Sequence, residues 1–174
     1  MEENSKQLKI VFLDVDGVLN CMNTIDRIDG YIGIEDNKVS YLKKIIDETS
    51  AKIVLVSTWK EYWHKKPYKI YQDNLANYLD KKLSRQGLKV VDKTSEPYDL
   101  RKRGQGILDY LNTLKSYGLD VYSYVILDDL MFDYRKTNLY KNLIKTNYRS
   151  GLKQEHVKKA IEILNNKKGE NQSC

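Results

Sequence analysis

A chain of 174 residues is long enough to bury one sizeable core, and no break in composition marks a second domain. Its 30 Lys and Arg against 24 Asp and Glu give a formal charge of +6, which favours anionic partners through long-range attraction. The two cysteines, Cys21 and Cys174, lie too far apart for a thiolate metal spacing, no apolar run reaches membrane-spanning length, and a cytoplasmic protein without a membrane partner is expected.

The polar stretch 1–7 carries no apolar signal region and reads as a flexible N-terminus. Leu8-Lys9-Ile10-Val11-Phe12-Leu13 then forms a continuous apolar run, as suits a strand buried on both faces of a parallel sheet. It ends in Asp14-Val15-Asp16-Gly17. Residues i and i+2 of an extended chain point the same way, roughly 6–7 Å apart, so the two carboxylates face one small volume. Such a pair needs a cation, a shared proton or divided roles. A solvated Asp-x-Asp-Gly turn is the plainer reading of those four residues alone.

A Gly-punctuated stretch at 20–36 follows, then a helix over 37–49 and a strand over 52–57 that ends in Ser57-Thr58. A hydroxyl and the N–H groups after it can hold phosphate oxygens at a strand-to-helix turn, although a helix N-cap is the commoner use. Helices are expected within 60–85. Trp59-Lys60-Glu61-Tyr62-Trp63-His64-Lys65-Lys66-Pro67-Tyr68-Lys69-Ile70-Tyr71 interleaves rings and cations, the chemistry of sites that stack bases and contact phosphates. Its alternative is a buried face formed by Trp59 and Trp63, four apart, with the lysines solvated.

A strand at 88–92 precedes Arg101-Lys102-Arg103-Gly104 and a helix over 103–117. A cation there can neutralise a phosphate or a carboxylate. A third apolar strand, 121–127, runs into Asp128 and Asp129, with Asp133 four residues on; a short strand near 143–146, a helix over 153–166 and a polar, flexible tail at 167–174 complete the chain. Alternating strands and helices predict one α/β domain over 8–166 with a mainly parallel sheet.

Asp-x-Asp, Ser57, a basic residue and an acidic pair, in this order, resemble the haloacid dehalogenase-like (HAD) superfamily of phosphohydrolases. Phe12 to Asn20, Ser57-Thr58-Trp59-Lys60, Arg103-Gly104, Lys145-Thr146 and Gly151-Leu152 look like the small HAD domains associated with RNA-repair proteins. The resemblance implies a Rossmannoid three-layer fold and an aspartyl-phosphate mechanism. In it Asp14 is the nucleophile, Asp16 the acid and base, and Ser57 and Arg103 complete the catalytic set. It also implies that Mg²⁺ is held by Asp14, the main-chain carbonyl of Asp16 and Asp129, with Asp128 near it and Asp133 less directly. Thr58, Lys60 and Lys102 are candidate substrate-binding groups. Arg103 is favoured over Lys102 as the basic residue on register.

The gaps between motifs leave no room for a large cap, so a capless or minimally capped, comparatively open site is expected. Its substrate would be a phosphomonoester, either a small molecule or a nucleic-acid end. The rival reading is a catalytically silent module of the same fold that binds metal or nucleic acid. A receiver domain has its acidic pair at the first strand and its phosphorylated Asp at a middle one, the reverse of the order here.

Overall fold

The computed structural model describes residues 7–95 and 101–166; of the flexible segments expected at 1–7 and 167–174, all but residue 7 lie outside them. In chain order, β1 (Leu8–Leu13) leads into a hairpin of β2 (Arg27–Ile28) and β3 (Tyr31–Ile32), followed by α1 (Asp36–Thr49) and β4 (Lys52–Leu55). Next come α2 (Asn74–Ser84), β5 (Val90–Lys93), α3 (Arg103–Ser116), β6 (Val121–Asp128), β7 (Leu143–Lys145) and α4 (Gln154–Asn165). β1, β4, β5, β6 and β7 form one parallel sheet in the order β5-β4-β1-β6-β7. This is the expected α/β Rossmann-like sheet.

Both faces of the sheet are covered, and the alternation of side chains along β1 shows how. Val11 and Leu13 enter one core with Leu42 and Ile45 of α1, Leu79 of α2 and Val157 of α4. Ile10 and Phe12 enter a second core with Ile107 of α3, Tyr124 and Ile126. Three helices therefore lie on one face and α3 on the other. Every one of these side chains except Tyr124 is at most 2% exposed, and at about 25 cal/mol per Å² of apolar surface such burial is the main force holding the layers together.

Register then decides where the chemistry emerges. Leu13 of β1 aligns with Leu55 of β4 and Leu127 of β6, so all three strands end level. Asp14 N–H bonds to the Leu127 carbonyl at 2.9 Å and Val56 N–H to the Leu13 carbonyl at 3.0 Å, so pairing continues one residue past the apolar runs. Asp14, Ser57 and Asp128 leave the sheet along one edge.

Two local expectations change. Residues 60–85 hold one α-helix, α2, with short 3₁₀ turns at Thr58–Lys60 and Tyr68–Tyr71 before it; Pro67 has no N–H to continue a helix. The stretch 20–36 forms the β2–β3 hairpin around Asp29-Gly30, both at positive φ as a two-residue hairpin turn requires. Tyr78 of α2 clasps it, donating its hydroxyl proton to Asp26 at 2.6 Å and accepting from Ile34 N–H at 2.8 Å. This hairpin occupies the gap after the first strand where a minimal cap is expected. Among the described residues no helix is long and apolar enough to cross a membrane.

Candidate active site

Asp14 is buried at the end of β1, between a hydroxyl and a guanidinium. The Ser57 side chain hydrogen-bonds its carboxylate, and Arg103 Nη1 lies 3.0 Å from its Oδ2. The same Nη1 donates to Asp128 Oδ2 at 2.6 Å. Asp128, fully buried, also accepts from the Tyr134 hydroxyl at 2.8 Å and from Leu130 N–H at 2.9 Å. Asp14, Asp128 and Asp129 offer oxygens that all lie within 4.8 Å of one another. Arg103 is the cation bonded into this group.

That imbalance sets the electrostatics. Burial pushes the Asp14 carboxyl up to about 6, with the Asp128 charge adding to the rise and Arg103 opposing it. Burial raises Asp128 too, against the pull of Arg103. Asp129 is raised by burial and then by the Asp14 charge. Burial works against the charge of Arg103, but Asp14 and Asp128 outweigh it and raise its pKa, so the guanidinium stays charged.

Gly17 fixes how Asp129 approaches. Its φ of +68° is one that side-chain-bearing residues rarely adopt, and a Cβ there would fall 2.4 Å from Asp129 Oδ2. Thr146 Oγ1 donates to the Gly17 carbonyl at 2.7 Å, tying this turn to the end of β7. The turn and the third strand's acid are therefore in contact.

Asp16 is held by two donors. Asn20 Nδ2 bonds its Oδ1 at 2.9 Å and Trp59 Nε1 bonds its Oδ2 at 3.0 Å. Each oxygen keeps a second lone pair. Asn20 Oδ1 also accepts from Gly17 N–H at 2.9 Å, which locks the loop from 16 to 20. Neither Asn20 nor Trp59 is marked as a site residue by spacing in the sequence. Trp59 reads there as a stacking platform or a core residue; it is buried, and its indole N–H is its contribution to the site.

The other candidates separate. Arg103, at the start of α3, turns inward, whereas Lys102 before it is exposed. Thr58 is exposed at the first 3₁₀ turn. Lys60 is buried, its ammonium donating to Thr94 Oγ1 at 2.8 Å and to the Ser95 carbonyl at 2.9 Å, which makes it a brace between the loops after β4 and β5. Asp133 accepts from Gly104 N–H at 2.6 Å and Gln105 N–H at 3.1 Å. It therefore caps α3, where a carboxylate complements the helix dipole, and so seats Arg103. Gly104 permits this approach, since a Cβ there would lie 2.8 Å from Asp133 Oδ1. Trp63 is buried with its indole N–H on Asp80 at 3.1 Å, while Tyr62, Tyr68 and Tyr71 are exposed. The two Trp residues thus follow the core reading of that segment.

The donor set fits a hard divalent cation. Hard cations take oxygen ligands, and Asp14 with Asp129 supplies carboxylate oxygens at the turn where the Asp16 main chain passes, while Asp128 is engaged by Arg103, Tyr134 and Leu130. The sequence matches the family described as HAD domain in Swiss Army Knife RNA repair proteins over residues 10–157. No curated protein matches the chain. The family match covers most of the chain, and the chain belongs to that family of HAD domains.

Proposed function

We propose, from this membership and from the site, that the chain is a Mg²⁺-dependent phosphatase that hydrolyses a phosphomonoester on a nucleotide or nucleic-acid end through an aspartyl-phosphate on Asp14. One observation carries the reading: Asp14 lies between the Ser57 hydroxyl and the Arg103 guanidinium, with Asp16 held separately by Asn20 and Trp59. A silent module would not need both carboxylates positioned in this way.

The steps follow from the side chains. Asp14 attacks phosphorus and the ester oxygen leaves, taking a proton from Asp16. Arg103 supports the nucleophile's position and offsets charge on the transferring group, and Ser57 holds a phosphoryl oxygen as its bond to Asp14 is released. Asp16, now a carboxylate, takes a proton from the water that opens the acyl phosphate. Asp14 and Asp129, with the Asp16 carbonyl, would hold Mg²⁺, which supplies positive charge to the phosphoryl oxygens when bound.

The test is a screen of phosphorylated metabolites, nucleotides and 3′- or 5′-phosphorylated oligonucleotides, with Mg²⁺ and with chelator. The expected result is phosphate release from a nucleotide or oligonucleotide end that requires Mg²⁺ and Asp14. Release no greater than that of the Asp14→Asn variant across the whole screen would overturn the reading and favour the silent module.

A further inference from the structure

Beside Arg103 a cleft of about 710 Å³ opens at the start of α3, lined by Arg101, Lys102, Gln105, Phe132, Lys136 and Thr137. Small-molecule sites run from roughly 300 to 1,000 Å³, so a nucleotide fits this volume. Asp133 also lines it, but both its oxygens are engaged by the Gly104 and Gln105 N–H groups. Lys102 and Lys136 against that capped carboxylate make the wall net positive.

Phe132 joins the cleft to the chemistry. Its ring covers the Arg103 guanidinium at 4.2 Å, and that guanidinium stands 3.0 Å from the Asp14 carboxylate. The ring edge meets Tyr134 at 6.1 Å between centroids. Phe132 holds this position at φ +39°, a backbone conformation that costs energy for a bulky residue and that clusters at ligand sites. The result is a half-buried aromatic ring on the cleft wall, one side chain away from the nucleophile.

The charges decide the class of ligand. A terminal phosphate is already served by Arg103, Ser57 and the metal, so Lys102 and Lys136 answer to further negative charge on the same substrate. An aromatic platform beside cations is the recognition chemistry of single-stranded nucleic acid, with a base on the ring and the backbone on the cations. We infer that this cleft receives the nucleotide next to the scissile phosphate of a single-stranded oligonucleotide, its base on Phe132 and its backbone phosphate between Lys102 and Lys136. The inference rests on the phosphatase reading and narrows its substrate from a nucleotide to a strand end.

The experiment uses the full chain with three substrates: an end-phosphorylated oligonucleotide, the same strand with an abasic residue beside its terminus, and phenyl phosphate. In the Lys102→Gln/Lys136→Gln double variant the ratio of kcat/KM for oligonucleotide over phenyl phosphate should fall at least tenfold. The salt dependence of oligonucleotide KM should flatten by about 0.7 in log–log slope for each phosphate that a lysine no longer neutralises. Lys158→Gln, on the exposed side of α4, should leave both unchanged. Wild type should prefer the strand that has the base, and Phe132→Leu should erase that preference.

Binding of an unphosphorylated oligonucleotide in chelator, read by anisotropy, separates the two proposals. Binding that weakens in the double variant supports the cleft even if no phosphate is ever released. Release of phosphate with an unchanged ratio in the double variant, equal use of abasic and normal strands by wild type, or equal competition by an acidic peptide of the same charge would each overturn the cleft assignment and leave the phosphatase reading standing.

Discussion

Asp14→Asn tests the nucleophile and the electrostatics of the site together. The substitution keeps shape, and its polar contacts can be repaired: the amide oxygen can accept from Arg103, and the Ser57 hydroxyl can turn from donor to acceptor. Activity should fall by at least about three orders of magnitude, because the amide cannot attack phosphorus. Stability should move the other way. Folding raises the Asp14 pKa from 3.8 to about 6, so the folded state binds its proton more tightly than the unfolded chain and loses stability as pH rises from about 4 to 6. At about 1.4 kcal/mol per pKa unit, the penalty above that window is on the order of 3 kcal/mol.

In chelator at pH 7, the variant should therefore be more stable than wild type by about 1–3 kcal/mol, since Arg103 retains Asp128 at 2.6 Å. Below pH 4 the difference should vanish. Added Mg²⁺ should close the gap at pH 7 by stabilising wild type alone, because a ligand that binds only the folded state raises its stability by mass action. Urea titration across pH, with and without Mg²⁺, measures all three. A metal-free variant less stable than wild type at pH 7 would refute the electrostatic reasoning, and a clean variant with full activity would refute the mechanism.

Asp16→Asn should keep some turnover of esters with good leaving groups, which need little proton donation, and lose far more on alkyl esters; equal losses on both would remove Asp16 from the acid role. Trp59→Phe deletes the 3.0 Å indole bond to Asp16 while keeping a ring in the core. It should lower kcat on alkyl esters about tenfold with KM little changed, in line with a hydrogen bond to a charged group of about 1.5–3 kcal/mol, whereas a loss confined to KM would argue against a positioning role. Gly17→Ala sets a Cβ 2.4 Å from Asp129 Oδ2 on strained backbone, so Mg²⁺ affinity measured by calorimetry should drop at least tenfold; wild-type affinity would show that Asp129 is not a ligand. The triple variant Lys65→Gln/Lys66→Gln/Lys69→Gln should change oligonucleotide turnover less than twofold, because Lys65 lies 3.6 Å from Asp92 and Lys69 pairs with Asp80; a larger loss than in the cleft variant would move the strand to the 59–71 surface.

Much of the site could be read from the sequence because strands carry parity. Phe12 and Asp14 share one side of β1, and Tyr124, Ile126 and Asp128 share one side of β6. Both series face α3, and on that helix Arg103 stands four residues before the buried Ile107, one turn along the same stripe. Asp14 and Asp128 must then meet Arg103, while Lys102, one position off the stripe, remains in solvent. The same logic separates the adjacent acids. Asp128 follows the buried series into the guanidinium, whereas Asp129, one residue on, turns towards Gly17 and offers an oxygen that could hold an ion.

What parity could not supply are contacts between segments whose separation is set by loops. Trp59 meets Asp16 across 43 residues, and Asp133 meets the Gly104 N–H across 29. Nothing in either local pattern favours those partners: a Trp between lysines has the composition of a stacking surface, and an Asp four residues after Asp129 has the spacing of a ligand. The outcome turned on which buried polar groups lacked partners. The indole N–H of a buried Trp needs an acceptor, and the first N–H groups of α3 need one as well. Acids supplied both, and in doing so Asp133 was spent on holding the helix that carries Arg103, and Asp16 was fixed at the turn after β1. The acids of the site thus divide by the donors around them: Asp16 and Asp133 are fixed by N–H groups from distant segments, while Asp14, Asp128 and Asp129 offer oxygens within 4.8 Å of one another that could hold a metal.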